Sequence, residues 1–182
     1  MNRGTLFLMV GPSGAGKDSL IQAAAETLAG NRSYVIARRA ITRPADSARE
    51  DHEPLSIDEF RRRLERDDFM LSWTVYDTHY GIPRSYDELL ATGTHVIANV
   101  SRTVVGPAVT DFAPARVIQV TAPREVLEAR LRARADPATV AARLARAVML
   151  PEGIPVTHLL NVGDLSAGAA RLVHLLTAAA AA

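Results

Sequence analysis

The sequence has no cysteine, which excludes disulfides and thiolate metal sites and agrees with a cytoplasmic setting. It lacks a charge imbalance as well. Its 21 Lys and Arg against 20 Asp and Glu leave a net charge of +1, so there is no electrostatic case for nucleic acid as a partner. No apolar run approaches the ~20 residues of a membrane span. The first apolar run, Thr5–Val10, is six residues long and leads straight into a glycine-rich turn. It therefore reads as a buried strand and not as a signal peptide. There is no internal repeat and no linker between independent domains. His52 and His79 are not spaced as a pair of metal ligands, and no second ligand set accompanies them.

What is present is a phosphate loop. Gly11-Pro12-Ser13-Gly14-Ala15-Gly16-Lys17-Asp18 follows the apolar run and opens into Ser19-Leu20-Ile21-Gln22-Ala23, a good helix former. The order strand, glycine loop, helix gives the pattern its specificity. Glycines let successive backbone N–H groups surround phosphate oxygens, and the helix N-terminus adds its partial positive charge. Lys17 is expected to reach the β- and γ-phosphates. The pattern asks for Ser or Thr after the lysine as the Mg²⁺ ligand, and Asp18 stands there instead. Ser19 is one place too late to substitute. Asp18 is expected to bind Mg²⁺, directly or through water, and Mg²⁺ arriving with the nucleotide is the only metal expected. The rival reading is a glycine turn that merely precedes a helix.

At 182 residues the chain suits one α/β domain with a substantial core. Buried-strand patterns occur at 34–37, 94–99, 115–121 and 157–161, alternating with helical stretches, which predicts a doubly wound parallel sheet. Ligands are expected at the carboxyl ends of its strands. The sheet and its helices are assigned to 1–37, 94–128 and 151–182. The charge-dense block at about 38–93 reads as an inserted acceptor-binding subdomain. Within it, Ser56–Glu59 and Ser85–Glu88 look like capping boxes, Phe69–Tyr76 has strand character, and His79–Pro83 reads as a turn. Pro123 suits the first turn of a helix bearing Val126, Leu127 and Leu131. A second arginine-rich helix is expected from about Ala138 to Leu150. The last helix is expected to turn Leu165, Leu172, Leu175 and Leu176 inward.

Arg130 and Arg134 share a helical face, and Arg143 and Arg146 lie three apart on the next helix. Two such pairs around Asp136-Pro137 suit a mobile lid, at about 129–150, that closes over transferring phosphates. Phosphoryl transfer depends on neutralising charge, which makes Lys17, Arg130, Arg134 and Arg143 the candidate catalytic residues. A solvated helix face is the plain alternative for each arginine. In the middle block, Arg43, Arg49, His52 and Tyr80 are the residues that suit a phosphorylated acceptor, whereas Trp73 reads first as subdomain core.

These motifs resemble guanylate kinase from end to end: the phosphate loop, Thr42-Arg43-Pro44, Phe69-x-x-Ser72-Trp73, Tyr80-Gly81-Ile82-Pro83, Arg130-Leu131-x-x-Arg134 and Asn161-Val162-x-Asp164-Leu165. The departures count more. Guanylate kinases carry a glutamate where this chain has Ser72, and an aspartate where it has Asn99, which Val100-Ser101-Arg102 follow. Their second acceptor arginine is missing, with Arg49 or Arg39 as alternative replacements. A site that has lost its base-reading acid loses its discrimination for that base, so GMP is not the expected acceptor.

The fuller pattern, with Gly-Lys-Asp-Ser in the loop, Ile-Thr-Arg-Pro, the Glu50-Asp51-His52-Glu53 run and Leu71-Ser72-Trp73, resembles the ribose 1,5-bisphosphate phosphokinase family. That resemblance implies ATP-dependent phosphorylation of ribose 1,5-bisphosphate to 5-phosphoribosyl 1-diphosphate, within bacterial phosphonate breakdown. It implies ATP contacts from Gly11 through Ser19, with Asn161 near the adenine. It implies acceptor contacts from Arg43 and Tyr80, with Arg49, His52, Ser101 and Arg102 as further candidates. The implied partners are ATP and a small phosphorylated sugar, with no nucleic acid and no membrane. A homodimer is compatible with the sequence, which does not fix the oligomeric state. A nucleoside monophosphate kinase such as guanylate kinase is the same-class alternative. A non-catalytic module binding protein partners is the other, and the intact Gly16-Lys17 argues against it.

Overall fold

The computed structural model describes residues 3–44, 51–133, 137–145 and 148–180, with backbone alone at 137, 138, 142 and 143. Its centre is β1 (Leu6–Val10), five apolar residues that are all fully buried. Five consecutive buried residues need cover on both faces, which a parallel sheet supplies. β1 lies between β7 (His95–Asn99) and β8 (Ala115–Thr121), with β2 (Tyr34–Ile36) and β9 (Val156–Leu160) at the edges. All four pairings are parallel.

The pleat divides β1 between two cores. Phe7 and Met9 pack with Leu20, Ile21 and Ala24 of α1 (Lys17–Thr27) and with Leu172 and Leu176 of α7 (Leu165–Ala180). Leu6, Leu8 and Val10 pack on the other face with Leu90 of α3 (Ser85–Ala91) and with Val105 and Ala108 of α4 (Val105–Asp111). Truncating a residue such as Leu8 to Ala is expected to cost about 2–5 kcal/mol. α5 (Arg124–Arg132) adds Leu127 to the first core and packs against α6 (Pro137–Ala145). Among the described residues no helix is long and apolar enough to cross a membrane.

The middle block forms a second, four-stranded sheet in the order β4 (His52–Pro54), β3 (Arg39–Ile41), β6 (Thr78–Pro83), β5 (Phe69–Val75). β3 and β4 run parallel, and the other two pairings are antiparallel. α2 (Ile57–Glu65) covers it, capped by Ser56, whose Oγ accepts the Glu59 N–H at 3.1 Å. Phe60 of α2 stacks on Phe69 with ring centroids 4.7 Å apart.

Several expectations need correction. His79–Pro83 is strand, and the reversal falls one step earlier, at Tyr76-Asp77, where Tyr76 takes φ 52°. A tight hairpin without glycine carries little sequence signal. Ser85 is the first residue of α3 and not its cap, because Arg84 before it is already helical at φ −64°, ψ −24°. Pro123, extended at ψ 148°, precedes α5 and does not join its first turn. The helix expected to run to Leu150 is described as far as Ala145, and residues 148–150 are not helical. Leu165 is 45% exposed, because it opens α7 just after the chain has left β9, before the helix lies across the sheet. β3, β4 and α4 were not foreseen.

Candidate active site

The phosphate loop leaves the carboxyl end of β1 and is shaped by positive φ angles of 145° at Gly11, 84° at Gly14 and 83° at Gly16. Close packing adds to this demand. A Cβ on Gly11 would fall 2.1 Å from the Val120 carbonyl oxygen, and one on Gly16 would fall 2.5 Å from Asn161 Nδ2. Lys17 begins α1, and its Nζ donates to the carbonyls of Gly11 at 2.9 Å and Pro12 at 3.2 Å. The loop is braced from its other side. Asn161 Nδ2 donates to the Ala15 carbonyl at 2.7 Å. Arg130 donates to the carbonyls of Gly14 and Ala15, each at 3.4 Å, and to that of Asn161 at 3.2 Å.

A cavity of about 700 Å³ opens over the loop and extends to the second sheet. Alternate residues of β5 and β6 face it: Trp73 and Val75, Thr78 and Tyr80. They are paired across the hairpin, Trp73 with Tyr80 and Val75 with Thr78, and the first pair stacks nearly parallel at 5.4 Å. Thr42 fixes the loop after β3, exchanging hydrogen bonds with His79 (its N–H to the His79 carbonyl at 3.0 Å, its Oγ1 from the His79 N–H at 2.8 Å). That lashing presents Arg43 to the cavity. From the carboxyl end of β7 come Asn99, Ser101 and Arg102, where Ser101 caps a 3-10 turn over Arg102–Val104, its Oγ accepting the Thr103 N–H at 3.4 Å and the Thr103 hydroxyl at 2.9 Å.

Two departures from the guanylate-kinase pattern meet here. Asn99 Nδ2 donates to the Asp18 carboxylate. An aspartate in place of Asn99 would set two carboxylates against each other, so Asp18 and Asn99 make sense only together. Arg39 joins them, with one guanidinium nitrogen 3.6 Å from Asp18 Oδ1 and another donating to the Asn99 carbonyl at 3.2 Å. Its guanidinium carbon lies 5.6 Å from the centre of the Tyr80 ring, within cation–π range.

Of the residues proposed from sequence, the cavity is lined by Gly11, Ser13, Gly14, Gly16, Lys17, Asp18, Ser19, Arg43, Tyr80, Ser101, Arg102 and Arg130. Pro12 and Ala15 belong to the loop without lining the cavity, and Ala15 is fully buried. His52 and Asn161 depart from expectation. His52 is 3% exposed with Nε2 3.2 Å from the Arg43 carbonyl, so it bears on the site through the backbone that carries Arg43. Asn161 is 5% exposed and braces the loop, and it does not face the cavity as an adenine contact would. Arg49 and Arg134 lie outside the described residues, as does the side chain of Arg143. Arg39 entered the sequence reading only as one of two stand-ins. No periodicity marks it, because β3 is three residues long and the chain bends directly after it at Thr42 and Arg43.

A Mg²⁺ ion that arrives with a nucleotide needs few protein ligands, since phosphate oxygens and water complete its octahedron. Among the described residues there is no cluster of three or more acidic, His or Cys side chains. Asp18, its side chain 51% exposed beside the loop, offers one hard oxygen donor, and Ser19 adjoins it. This donor set fits a substrate-borne Mg²⁺.

No protein-family model matches the chain. It is 42% identical over 175 residues to ribose 1,5-bisphosphate phosphokinase PhnN from Rhodopseudomonas palustris, covering 95% of this chain and 88% of that protein. It is 44% identical over 176 residues to a bifunctional ribose 1,5-bisphosphokinase–thymidine phosphorylase from Cupriavidus pinatubonensis. There it covers 95% of this chain but only 29% of the relative's length. Among solved structures, guanylate kinase from Anaplasma phagocytophilum superposes with a TM-score of 0.73 over 98% of this chain and 87% of that one. The identity is 17%, a likeness of fold alone.

Proposed function

The chain belongs to the ribose 1,5-bisphosphate phosphokinase family, and from that premise we propose that it transfers the γ-phosphoryl group of ATP to the 1-phosphate of ribose 1,5-bisphosphate. The products are 5-phosphoribosyl 1-diphosphate and ADP, within phosphonate breakdown. The observation that carries this reading is the charge of the cavity. Lys17, Arg39, Arg43, Arg102 and Arg130 line it, and among the described lining residues Asp18 carries the one carboxylate. Such a wall suits an acceptor with two phosphates. It offers no second acid to read the N–H groups of a guanine, which counts against GMP.

The nucleophile is a phosphate oxygen, already ionised near neutral pH, so no side chain has to remove a proton. It attacks the γ-phosphorus as the bond to the β–γ bridging oxygen breaks, and ADP leaves with that electron pair. The protein's work is to place two anions in line and screen their repulsion. The loop amides and Lys17 hold the donor phosphates. Arg130, which lines the cavity at the edge of the loop, is proposed to reach the transferring group, with Arg134 and Arg143 approaching it from the lid. Arg43, Arg102 and Tyr80 hold the acceptor, with Ser101 and Arg49 as further contacts. His52 fixes the Arg43 backbone, and Asn161 holds the loop in shape. Asp18 would hold a Mg²⁺ ion that arrives with the nucleotide, and that ion would supply further charge neutralisation.

A coupled ADP-release assay with ATP and Mg²⁺ tests this, comparing ribose 1,5-bisphosphate with GMP, AMP and UMP. Turnover with the bisphosphate alone is expected. Comparable kcat/KM with GMP would restore a guanylate kinase, and silence with all four would favour a binding module.

A further inference from the structure

We propose that Arg39 is the residue that selects a phosphate as the accepting group, by holding the acceptor's 1-phosphate at the junction with the phosphate loop. The proposal rests on the function given above and goes beyond it in assigning one of the two acceptor phosphates to one side chain.

The argument starts from position. Arg39 is rooted in β3 of the second sheet, yet its guanidinium reaches the first turn of α1, 3.6 Å from Asp18. Asp18 directly follows the phosphate-loop lysine. Arg39 also donates to the carbonyl of Asn99, at the carboxyl end of β7, and lies over the Tyr80 ring. It therefore touches the donor-binding wall on one side and the acceptor-binding wall on the other. Its side chain is only 12% exposed, and that exposure opens on the cavity it lines.

Chemistry then separates the two phosphates. The accepting phosphate has to come within bonding distance of the γ-phosphorus, which lies against the loop. The 5-phosphate, on the far side of the ribose ring, does not. A cation fixed at the junction meets the first and not the second. Fixing matters because a guanidinium with a set plane gives directional hydrogen bonds to a phosphate. Asp18, Asn99 and Tyr80 set that plane from three directions. This also accounts for the residue after Lys17: a carboxylate there anchors the arginine, which a serine or threonine hydroxyl would do more weakly.

Calorimetry with two half-substrates tests the assignment. Ribose 1-phosphate and ribose 5-phosphate are titrated into the protein in the presence of ADP and Mg²⁺, for the wild type, R39M and R39K. R39M is expected to weaken ribose 1-phosphate at least roughly tenfold, as loss of a charged hydrogen-bond donor implies. Ribose 5-phosphate is expected to change by no more than about twofold, since that phosphate would lie beyond the reach of a short-range contact. R39K, which keeps the charge but not the fork, is expected to fall between, and it serves if R39M does not fold. Equal weakening of both half-substrates would overturn the assignment, as would wild-type affinity for ribose 1-phosphate in either variant. Failure of the function itself reads differently, because the wild type would then show no turnover with ribose 1,5-bisphosphate whatever position 39 holds.

Discussion

The two walls of the cavity are made in different ways. The donor wall is eight consecutive residues, Gly11–Asp18, whose shape is fixed by backbone angles and by carbonyls tied to Arg130 and Asn161. The acceptor wall is discontinuous. It takes Arg39 and Arg43 from β3 and the loop after it, Trp73, Val75, Thr78 and Tyr80 from a hairpin, and Arg102 from the end of β7. A wall of backbone tolerates exchange of its side chains but not of its glycines. A wall of side chains is re-aimed by a handful of substitutions while the strands beneath stay in register. The chain shares a fold with guanylate kinase at 17% identity while its cavity carries Asn99 in place of an acid and Arg39, Arg43 and Arg102 around it. That combination follows from the contrast.

The largest effect should come from Lys17, the cation of the donor wall itself. Lys17→Ala is expected to lower kcat by about 10²–10³-fold or more, the scale of losing one preorganised charge partner of the transition state. The melting temperature should move little, since Lys17 lines the cavity and its described Nζ bonds go to carbonyls of the loop itself. Full activity in that variant would break the reading of the loop. On the acceptor wall, Arg43→Ala is expected to raise KM for the sugar bisphosphate by about 10–100-fold, the value of a charged hydrogen bond. KM for ATP should stay near the wild-type value, and a parallel rise in both constants would erase the distinction between the walls.

Gly11→Ala sharpens the backbone side of the comparison. Its φ of 145° and a Cβ position 2.1 Å from the Val120 carbonyl oxygen allow no side chain without moving β8. A loss of about 1–3 kcal/mol in chemical denaturation is expected, together with weaker ATP binding. The smallest effect lies away from both walls. His95, at the opposite end of β7 from Asn99, accepts the Thr5 N–H on Nδ1 at 2.9 Å and stacks on Tyr34. Burial pushes its imidazole below the usual histidine range. The unfolded chain takes up that proton more readily, so the associated stability is present above about pH 6.5 and is lost as pH falls from there toward the folded value. Thermal melts from pH 8 to 5 should show a steeper decline below pH 6.5 for the wild type than for His95→Gln, with kcat/KM at pH 8 unchanged. Parallel curves would show that His95 does not contribute.

The same contrast explains what was legible in the sequence. The donor wall could be read directly, because a contiguous motif carries its own geometry and β1 announces itself as an unbroken apolar run. The parallel sheet could be read for a similar reason, since four further short apolar runs are bounded by turn residues. The acceptor wall could be read only in pieces. Arg43 and Tyr80 stand in motifs, but β3 and β4 are three residues each and rich in charge, so no periodicity marks them. Arg39 gains its place from Asp18, which is 21 positions earlier, and from Asn99, which is 60 later. His52 was expected as an acceptor contact and Asn161, from the family resemblance, as an adenine contact. Both are buried and bonded to backbone of the site, His52 at the Arg43 carbonyl and Asn161 at that of Ala15, and burial of a lone polar residue leaves no mark in a sequence.

The most direct test of the central claim, that the acceptor wall brings a sugar phosphate and not a nucleotide into line with ATP, is to identify the product. ³¹P NMR of a reaction with ATP, Mg²⁺ and an equal mixture of ribose 1,5-bisphosphate and GMP would follow every phosphorus at once. The account predicts loss of the 1-phosphate resonance, growth of a coupled diphosphate pair on the sugar, an unchanged 5-phosphate signal and unconverted GMP. Formation of GDP with the sugar bisphosphate intact would contradict it.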